Sequence, residues 1–88
     1  MNKSLKVVVM FLINKHYIGG KHFPEHKLIV LKTKYLRSDE LKQFKKEYKC
    51  FRRDFLLCLK KRIGKSDSIH ISLNPRRLKE IFKLIENE

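Results

Sequence analysis

Basic side chains recur at helical spacing in the middle of the chain, where they could bind phosphate oxygens. If residues 38–54 are helical, one face carries Lys42, Lys46, Lys49 and Arg53, flanked by Lys45 and Arg52. Lysine would meet a phosphate as a point charge, and arginine as a two-pronged donor. Gln43 and Arg53 are the obvious side chains near this face that could pair with a base edge through two hydrogen bonds. A lysine-rich face favours affinity for a polyanion over discrimination between sequences.

A second basic cluster follows, made of Lys60, Lys61, Arg62 and Lys65. Earlier in the chain Lys21 and Lys27, with His22, could hold one backbone phosphate at the start of a predicted helix. The whole chain has 22 Lys and Arg against 9 Asp and Glu, a formal net charge of +13, whereas residues 66–88 hold as many acids as bases. This charge predicts a polyanionic partner, with nucleic acid as the first candidate. A solvated, lysine-rich surface is the alternative.

The four histidines and two cysteines suggest other chemistry. His22 and His26 would share a helical face, but Phe23 and Pro24 place His22 before the helix, and no His or Cys pair lies at a recognised zinc spacing. We therefore expect no metal and no cofactor. The histidines could also serve a small ribonuclease as acid and base. Because the sequence locates no two of them together, no catalytic residue is assigned.

Two features bear on the compartment. Cys50 and Cys58 are too few for a disulfide scaffold, which indicates reduced thiols in a cytoplasm. Residues 1–6 are basic and residues 7–13 apolar, a superficial copy of a secretory signal, but no small-residue cleavage motif follows. A membrane span would need about 20 apolar residues. We expect a cytoplasmic protein, associated with the nucleoid and not with a membrane.

Apolar periodicity predicts the helices that would position the basic residues. A first helix is predicted over 4–16, with Ser4 as a possible N-cap, and a second over 24–34. Ser38, as a capping hydroxyl followed by two acidic residues, predicts the start of the basic helix, 38–54. The opposite face of that helix is an apolar stripe made of Leu41, Phe44, Tyr48, Phe51 and Phe55. Of these, Phe51 is expected in the core.

A β-hairpin is predicted after the basic helix. The helix should end near residue 54, because the leucines that follow would otherwise lie in its basic face. Residues 55–63 predict a strand and residues 64–68 a turn. The alternation of apolar and polar residues over 69–73 predicts a half-buried returning strand, with Ile69, Ile71 and Leu73 on its apolar side.

Asn74 and Pro75 predict the start of a last helix, over 75–86. Its apolar strip consists of Leu78, Ile81, Phe82 and Ile85. Since the region around this helix carries no net charge, two copies of a basic protein could approach each other here. The strip predicts a homodimer contact, and closure of the monomer's own core is the alternative.

Two helices, a capped basic helix and a basic hairpin, in this order, resemble the winged-helix (winged helix-turn-helix) family of nucleic-acid-binding domains over residues 4–73. The resemblance implies a mainly α fold with a small β-hairpin, of the α+β class. It makes 38–54 the recognition helix that enters a major groove, and 60–65 the wing that grips the adjacent backbone. The helix 75–86 looks like the dimerisation helix of small archaeal and bacterial winged-helix regulators. One departure is the connection 33–37, which is longer than a tight helix-turn-helix corner.

The sequence thus predicts a single domain, residues 1–88, that binds double-stranded DNA as a transcriptional regulator or chromatin-like factor, without a catalytic role. One alternative is a basic protein bound to RNA or the ribosome, which would meet A-form RNA through shape and backbone. Another is a protein–protein assembly module in which the apolar stripe from Leu41 continues through Leu59 as one helix.

Overall fold

A computed structural model describes residues 2–64 and 66–86 and shows a mixed α+β fold. Four α-helices and three antiparallel strands follow one another in the order α1 Lys3–Asn14, β1 Phe23–Pro24, α2 Glu25–Thr33, α3 Ser38–Phe55, β2 Leu56–Ile63, β3 Ser66–Leu73, a 3₁₀ turn Pro75–Arg77, and α4 Leu78–Glu86. The predicted helices and the predicted hairpin are present, so the α+β class is confirmed. The short strand β1 was not predicted.

The first helix begins and ends earlier than predicted. Oδ1 of Asn2 accepts hydrogen bonds from the backbone N–H of Ser4 at 2.9 Å and of Leu5 at 3.3 Å, so Asn2 is the N-cap and the assignment of Ser4 was wrong. At the other end, His16 has a left-handed φ of 59°. The backbone N–H of Tyr17 then donates to the carbonyl of Leu12, which closes the helix.

The start of α3 also differs from the prediction in one residue. Arg37 occupies the N-cap position with an extended backbone, and Ser38 is already the first helical residue, so Ser38 is not the cap. No side chain caps this helix. Asp39 and Glu40 still lie in its first turn, where their charge favours the positive end of the helix dipole.

The end of α3 shows whether the helix is followed by a strand, as predicted, or continues through Leu59, as in the alternative. Leu56 has an extended backbone, with φ −107° and ψ 146°, and begins β2 immediately after the helix. Its side chain is buried in the core. An apolar helix continuing through Leu59 is therefore wrong, because the leucines after Phe55 are used in a strand.

The three strands form one antiparallel sheet in the order β1-β3-β2. β2 and β3 pair from Leu56↔Leu73 at the base of the hairpin to Ile63↔Ser66 at its tip. The predicted turn over 64–68 was too long, because residues 66–68 are paired in β3. Gly64 takes a positive φ of 62° at the tip, a conformation that glycine adopts without strain.

β3 is the central strand of the sheet, and both of its sides are buried there, whereas the prediction had one side buried. Ile71 and Leu73 are in the core as predicted, but His70 and Ser72 on the other side of the strand are buried too. The segment before β1 covers them: the hydroxyl of Ser72 donates to the carbonyl of Gly19 at 2.8 Å. Ile69, nearer the hairpin tip, is more than a third exposed.

All the helices and both long strands contribute to a single core. Its fully buried side chains include Val9, Leu12, Leu28, Phe44, Ile71, Leu73 and Ile81. Phe51 is also buried, which confirms its predicted place in the core. Because α3 is apolar only on the side that faces this core, its basic side must face outward. Among the described residues, no helix is both long and apolar enough to cross a membrane.

Candidate nucleic-acid interface

The basic face of α3 is exposed along the whole helix. The side chains of Lys42, Lys45, Lys46, Lys49 and Arg53 are all exposed. No hydrogen bond or ion pair joins the four lysines to another residue in the described part of the chain. From Lys42 to Arg53 the helix rises about 17 Å, at 1.5 Å per residue. α3 therefore presents a row of lysines that have no acidic partner among the described residues.

Arg53 keeps one internal contact. Its Nε donates to Oδ1 of Asp54 at 3.2 Å, while the Arg53 side chain stays 74% exposed. This hydrogen bond favours the charged guanidinium and so raises the pKa of Arg53. A pair this exposed adds little to stability, and so Arg53 can exchange Asp54 for another oxyanion.

Arg52, by contrast, is held by the protein itself. Its Nη1 lies 3.3 Å from a carboxylate oxygen of Glu25, and its Nε donates to Sγ of Cys58 at 3.1 Å. The hydroxyl of Tyr48 donates to the same carboxylate at 2.6 Å. Burial, and then this hydrogen bond to Glu25, raise the pKa of Tyr48, so the phenol stays protonated. This cluster joins α2, α3 and β2.

The Arg52 cluster gives one predicted binding residue partners within the protein. Arg52 was placed at the flank of the phosphate-binding face, and the structure turns it towards Glu25 and Cys58. The sequence feature that could have indicated this ion pair is Glu25, the only acidic residue among residues 1–37. An acid at the first turn of α2 was interpreted as a helix-start residue alone.

A groove connects the basic face of α3 with the hairpin. It has a volume of about 420 Å³ and is lined by Lys49, Arg52 and Arg53 from α3 and by Leu56, Leu57 and Cys58 from β2. No acidic side chain lines it among the described residues. The groove therefore joins the cations of α3 to the first three residues of β2 in one continuous surface.

The hairpin carries its basic residues on both faces. Lys60, Lys61 and Arg62 are exposed and lie opposite Ile69, Ser68 and Asp67. Because side chains alternate along a strand, Lys60 and Arg62 share one face and Lys61 lies on the other. Nζ of Lys60 is 3.5 Å from Oδ2 of Asp67, and both side chains are more than half exposed. Lys65, the fourth predicted wing residue, lies outside the described residues.

The predicted phosphate clamp before α2 lacks one of its parts. Lys21 and Lys27 are exposed, and Nζ of Lys21 lies over the ring of Tyr17 at 5.1 Å. His22 is turned to the sheet, where its Nδ1 is 2.9 Å from Nδ1 of His70. Lys21 and Lys27 are thus surface cations, and His22 belongs to a different contact.

Gln43 lies to one side of the basic face. It is exposed and lines a groove of about 380 Å³ between α1, α3 and α4, together with Leu5, Phe51 and Leu84. Of the two side chains predicted to read bases, Arg53 is central to the basic face and Gln43 is at its margin. This placement agrees with a surface that meets backbone more than bases.

The structure brings together two histidines that the sequence could not connect. The rings of His22 and His70 contact edge to face, with centroids 4.8 Å apart. Nε2 of His70 is buried and has no hydrogen-bond partner among the described residues. A ribonuclease would need a ring nitrogen on each histidine that a substrate can reach, whereas Nε2 of His70 is buried and its Nδ1 contacts His22. Within the described residues, no three His, Cys, Asp or Glu side chains group as metal ligands.

The predicted dimer strip on α4 is divided between the core and the surface. Ile81 is fully buried in the chain's own core, and Leu78 and Ile85 are half-buried against it. Phe82 remains 43% exposed. At about 100° per residue, Leu78, Phe82 and Ile85 fall within an arc of roughly 60° on α4. This strip and Leu84, which is 39% exposed on another side of the helix, are the apolar surface that α4 presents.

Comparison of the chain with known protein families, with curated proteins and with solved structures found no match.

Proposed function

We propose that this protein is a winged-helix domain that binds double-stranded DNA, with α3 as the recognition helix and the hairpin β2–β3 as the wing. The observation that carries the proposal is the row of exposed lysines on α3, which lack acidic partners in the described part of the chain. The element order supports it, because α1, α2, the basic helix and the hairpin follow one another as in the resemblance.

The charge distribution favours a polyanion over a merely solvated surface. Unpaired lysines on one helix face repel one another, and a partner rich in phosphates would remove that repulsion. The groove between α3 and β2 adds a concave site with three cations.

The shape of α3 favours duplex DNA over duplex RNA. The major groove of B-DNA, about 12 Å wide, admits an α-helix, whereas that of A-form RNA is too deep and narrow for side chains to read. α3 presents its basic face over about 17 Å, close to half of a DNA turn. We therefore propose a role in transcriptional regulation or in chromatin-like packaging of DNA, with contacts mainly to phosphates.

The test compares Lys46→Glu with Lys79→Glu, an identical charge change at an exposed position of α4. Fluorescence anisotropy would measure binding to equal lengths of labelled duplex DNA, duplex RNA and single strands over a range of salt concentrations. Wild-type binding to duplex DNA should weaken linearly in log[salt], by about 0.9 for each phosphate contacted. Lys46→Glu should lower DNA affinity by about tenfold and reduce that slope, and Lys79→Glu should change affinity by about twofold or less.

Three results would overturn this proposal. A flat salt response would show that phosphates are not bound. Equal effects of Lys46→Glu and Lys79→Glu would show that net charge matters and α3 does not. Tighter binding of duplex RNA than of duplex DNA, lost in Lys46→Glu, would make the same surface an RNA-binding one.

A further inference from the structure

A groove along α1 stands apart from the basic face of α3. It has a volume of about 530 Å³, and its lining comes from α1, its C-cap residue Lys15 and α2, with none from α3, β2 or β3. The floor is apolar and consists of Val7, Met10 and Phe11. Val7 is 47% exposed, although it sits in the middle of the helix. The fully buried residues of α1 are on its other face, and of the floor residues only Phe11 also packs against the core.

The rim of the groove is cationic. Lys3, Lys6 and Lys15 border it from the side of α1, and Lys32 borders it from α2. No Asp or Glu lines it within the described residues. Nζ of Lys32 lies 5.0 Å from the centre of the Phe11 ring, so this lysine covers one end of the apolar floor. The groove would therefore accept an apolar strip that has negative charges on both sides.

The groove has the shape of a site for a helix. Its lining residues recur along α1 at i, i+3 or i+4, and i+7 or i+8, so the lining is a continuous stripe over about 18 Å, with the apolar floor in its central part of about 6 Å. Three turns of a second helix have the same length. Met10 lies at the centre of this floor, and methionine adapts its shape to different apolar side chains.

Nucleic acid fits this groove less well. Unpaired bases bind by stacking on open aromatic rings. Phe11 is the only aromatic residue in the described lining, and its ring is already in contact with Tyr17, Phe23 and Lys32. A second copy of the chain also fits poorly, because it would bring its own positive charge to a cationic rim.

From this floor and rim we propose a second binding function: the α1 groove docks an acidic amphipathic helix of a partner protein. The apolar side of that helix lies on Val7, Met10 and Phe11, and its flanking Asp and Glu residues meet Lys3, Lys15 and Lys32 of the rim. The groove shares no residue with the basic face of α3, so the partner and the proposed DNA can be held at the same time. The protein would then link DNA to an acidic partner.

The probe is a labelled peptide of 12 residues, the length of α1, with leucines at i, i+3, i+4 and i+7 and glutamates at the flanking positions. A scrambled peptide of identical composition controls for simple charge attraction. Both are titrated by fluorescence anisotropy with the full chain at about 0.15 M salt. The amphipathic peptide should bind at least about tenfold more tightly than the scrambled one.

The matched variants are Val7→Glu in the groove and Val30→Glu on α2 outside it. Both valines are exposed to almost the same extent, 47% and 48%, and both substitutions change the charge equally. Val7→Glu should weaken peptide binding by at least about tenfold, because it places a carboxylate beneath the apolar side of an acidic peptide. Val30→Glu should change it by about twofold or less, and the two variants should keep equal DNA affinity.

The proposal is overturned if the scrambled peptide binds as well as the amphipathic one, or if Val7→Glu and Val30→Glu behave alike towards the peptide. Vesicles of phosphatidylcholine with phosphatidylglycerol provide a further arm. Binding to these vesicles that depends on Val7, without binding of the peptide, would assign the groove to an anionic lipid surface instead. Loss of DNA binding in Lys46→Glu with peptide binding intact would separate this proposal from the proposed function.

Discussion

His70 lies in the middle of the sheet, and its environment disfavours the charged ring. Burial, then the neighbouring His22, then Lys61 lower its pKa below the usual 6.5. In the contact between Nδ1 of His22 and Nδ1 of His70, one ring must donate and the other accept. Protonation of the accepting ring removes the acceptor and leaves two N–H donors facing each other at 2.9 Å. The folded protein therefore holds His70 neutral at neutral pH.

This environment predicts a pH dependence of stability. Above pH 6.5, His70 is neutral in both the folded and unfolded chain, and its contribution to the free energy of unfolding is fully present. Below 6.5 the unfolded chain takes up the proton first, so stability falls as the pH decreases. Urea unfolding at pH 8 and pH 5.5 should show a lower midpoint at pH 5.5, and this difference should shrink in His70→Gln and in His22→Gln.

His26→Gln is the matched control, because His26 is exposed on α2. It should leave the difference between the two midpoints unchanged. If His26→Gln and His70→Gln reduced that difference equally, the His22–His70 contact would not be its source.

At the scale of elements, α3 was the most predictable part of the molecule. Its apolar stripe and its basic face lie on opposite sides in the sequence pattern, and the requirement to bury one face fixes the direction of the other. Its end near Phe55 could also be predicted, because Leu56 is incompatible with a cationic surface. The hairpin that follows was likewise predicted, apart from the length of its turn.

The features that could not be predicted from the sequence are contacts between residues far apart in the chain. The hydrogen bond from Tyr48 to Glu25 joins residues 23 apart, and the His22–His70 contact joins residues 48 apart. The role of Arg52 followed from Glu25 and could not be derived from the periodicity of α3. β1 is only two residues long and includes Pro24, and so it carries no alternation to detect.

Phe51 tests how α3 is held on the core. It is buried and its ring contacts Phe55 at 5.0 Å between centroids. Phe51→Ala should lower the free energy of unfolding by about 3 to 5 kcal/mol, because the cavity left in a small core cannot close fully. Tyr35→Ala removes an aromatic ring that is 84% exposed and should cost about 0.5 kcal/mol or less. Urea denaturation followed by circular dichroism measures both.

Equal stability of Phe51→Ala and the wild type would contradict the packing of α3. The apolar stripe would then face a partner rather than the core. The basic side of α3 would in that case no longer be the outward one.

At the scale of the whole molecule, positive charge opposes self-association almost everywhere. Residues 42–65 hold ten basic and two acidic side chains, whereas residues 66–88 hold four of each. α4 is therefore the element at which two copies would meet with least repulsion. Its surface strip of Leu78, Phe82 and Ile85 is the dimer contact that we propose, with Ile81 withdrawn into the monomer core. A two-fold dimer would set two α3 helices on one duplex, about one helical turn apart.

The dimer prediction is tested with Phe82→Glu, measured by light scattering at about 0.15 M salt. The wild type should have twice the chain mass of 10.7 kDa, and Phe82→Glu should have the single-chain mass, because its carboxylate would be buried unpaired in the contact. Tyr35→Glu changes an exposed aromatic residue in the same way, away from α4, and should stay dimeric. A wild-type protein of 10.7 kDa at every concentration would contradict the dimer. Dissociation by Tyr35→Glu but not by Phe82→Glu would move the contact from α4 to the connection between α2 and α3.

A dimer confirmed on α4 should also give a steeper salt dependence of DNA binding than Phe82→Glu shows, because two basic faces release more counterions than one.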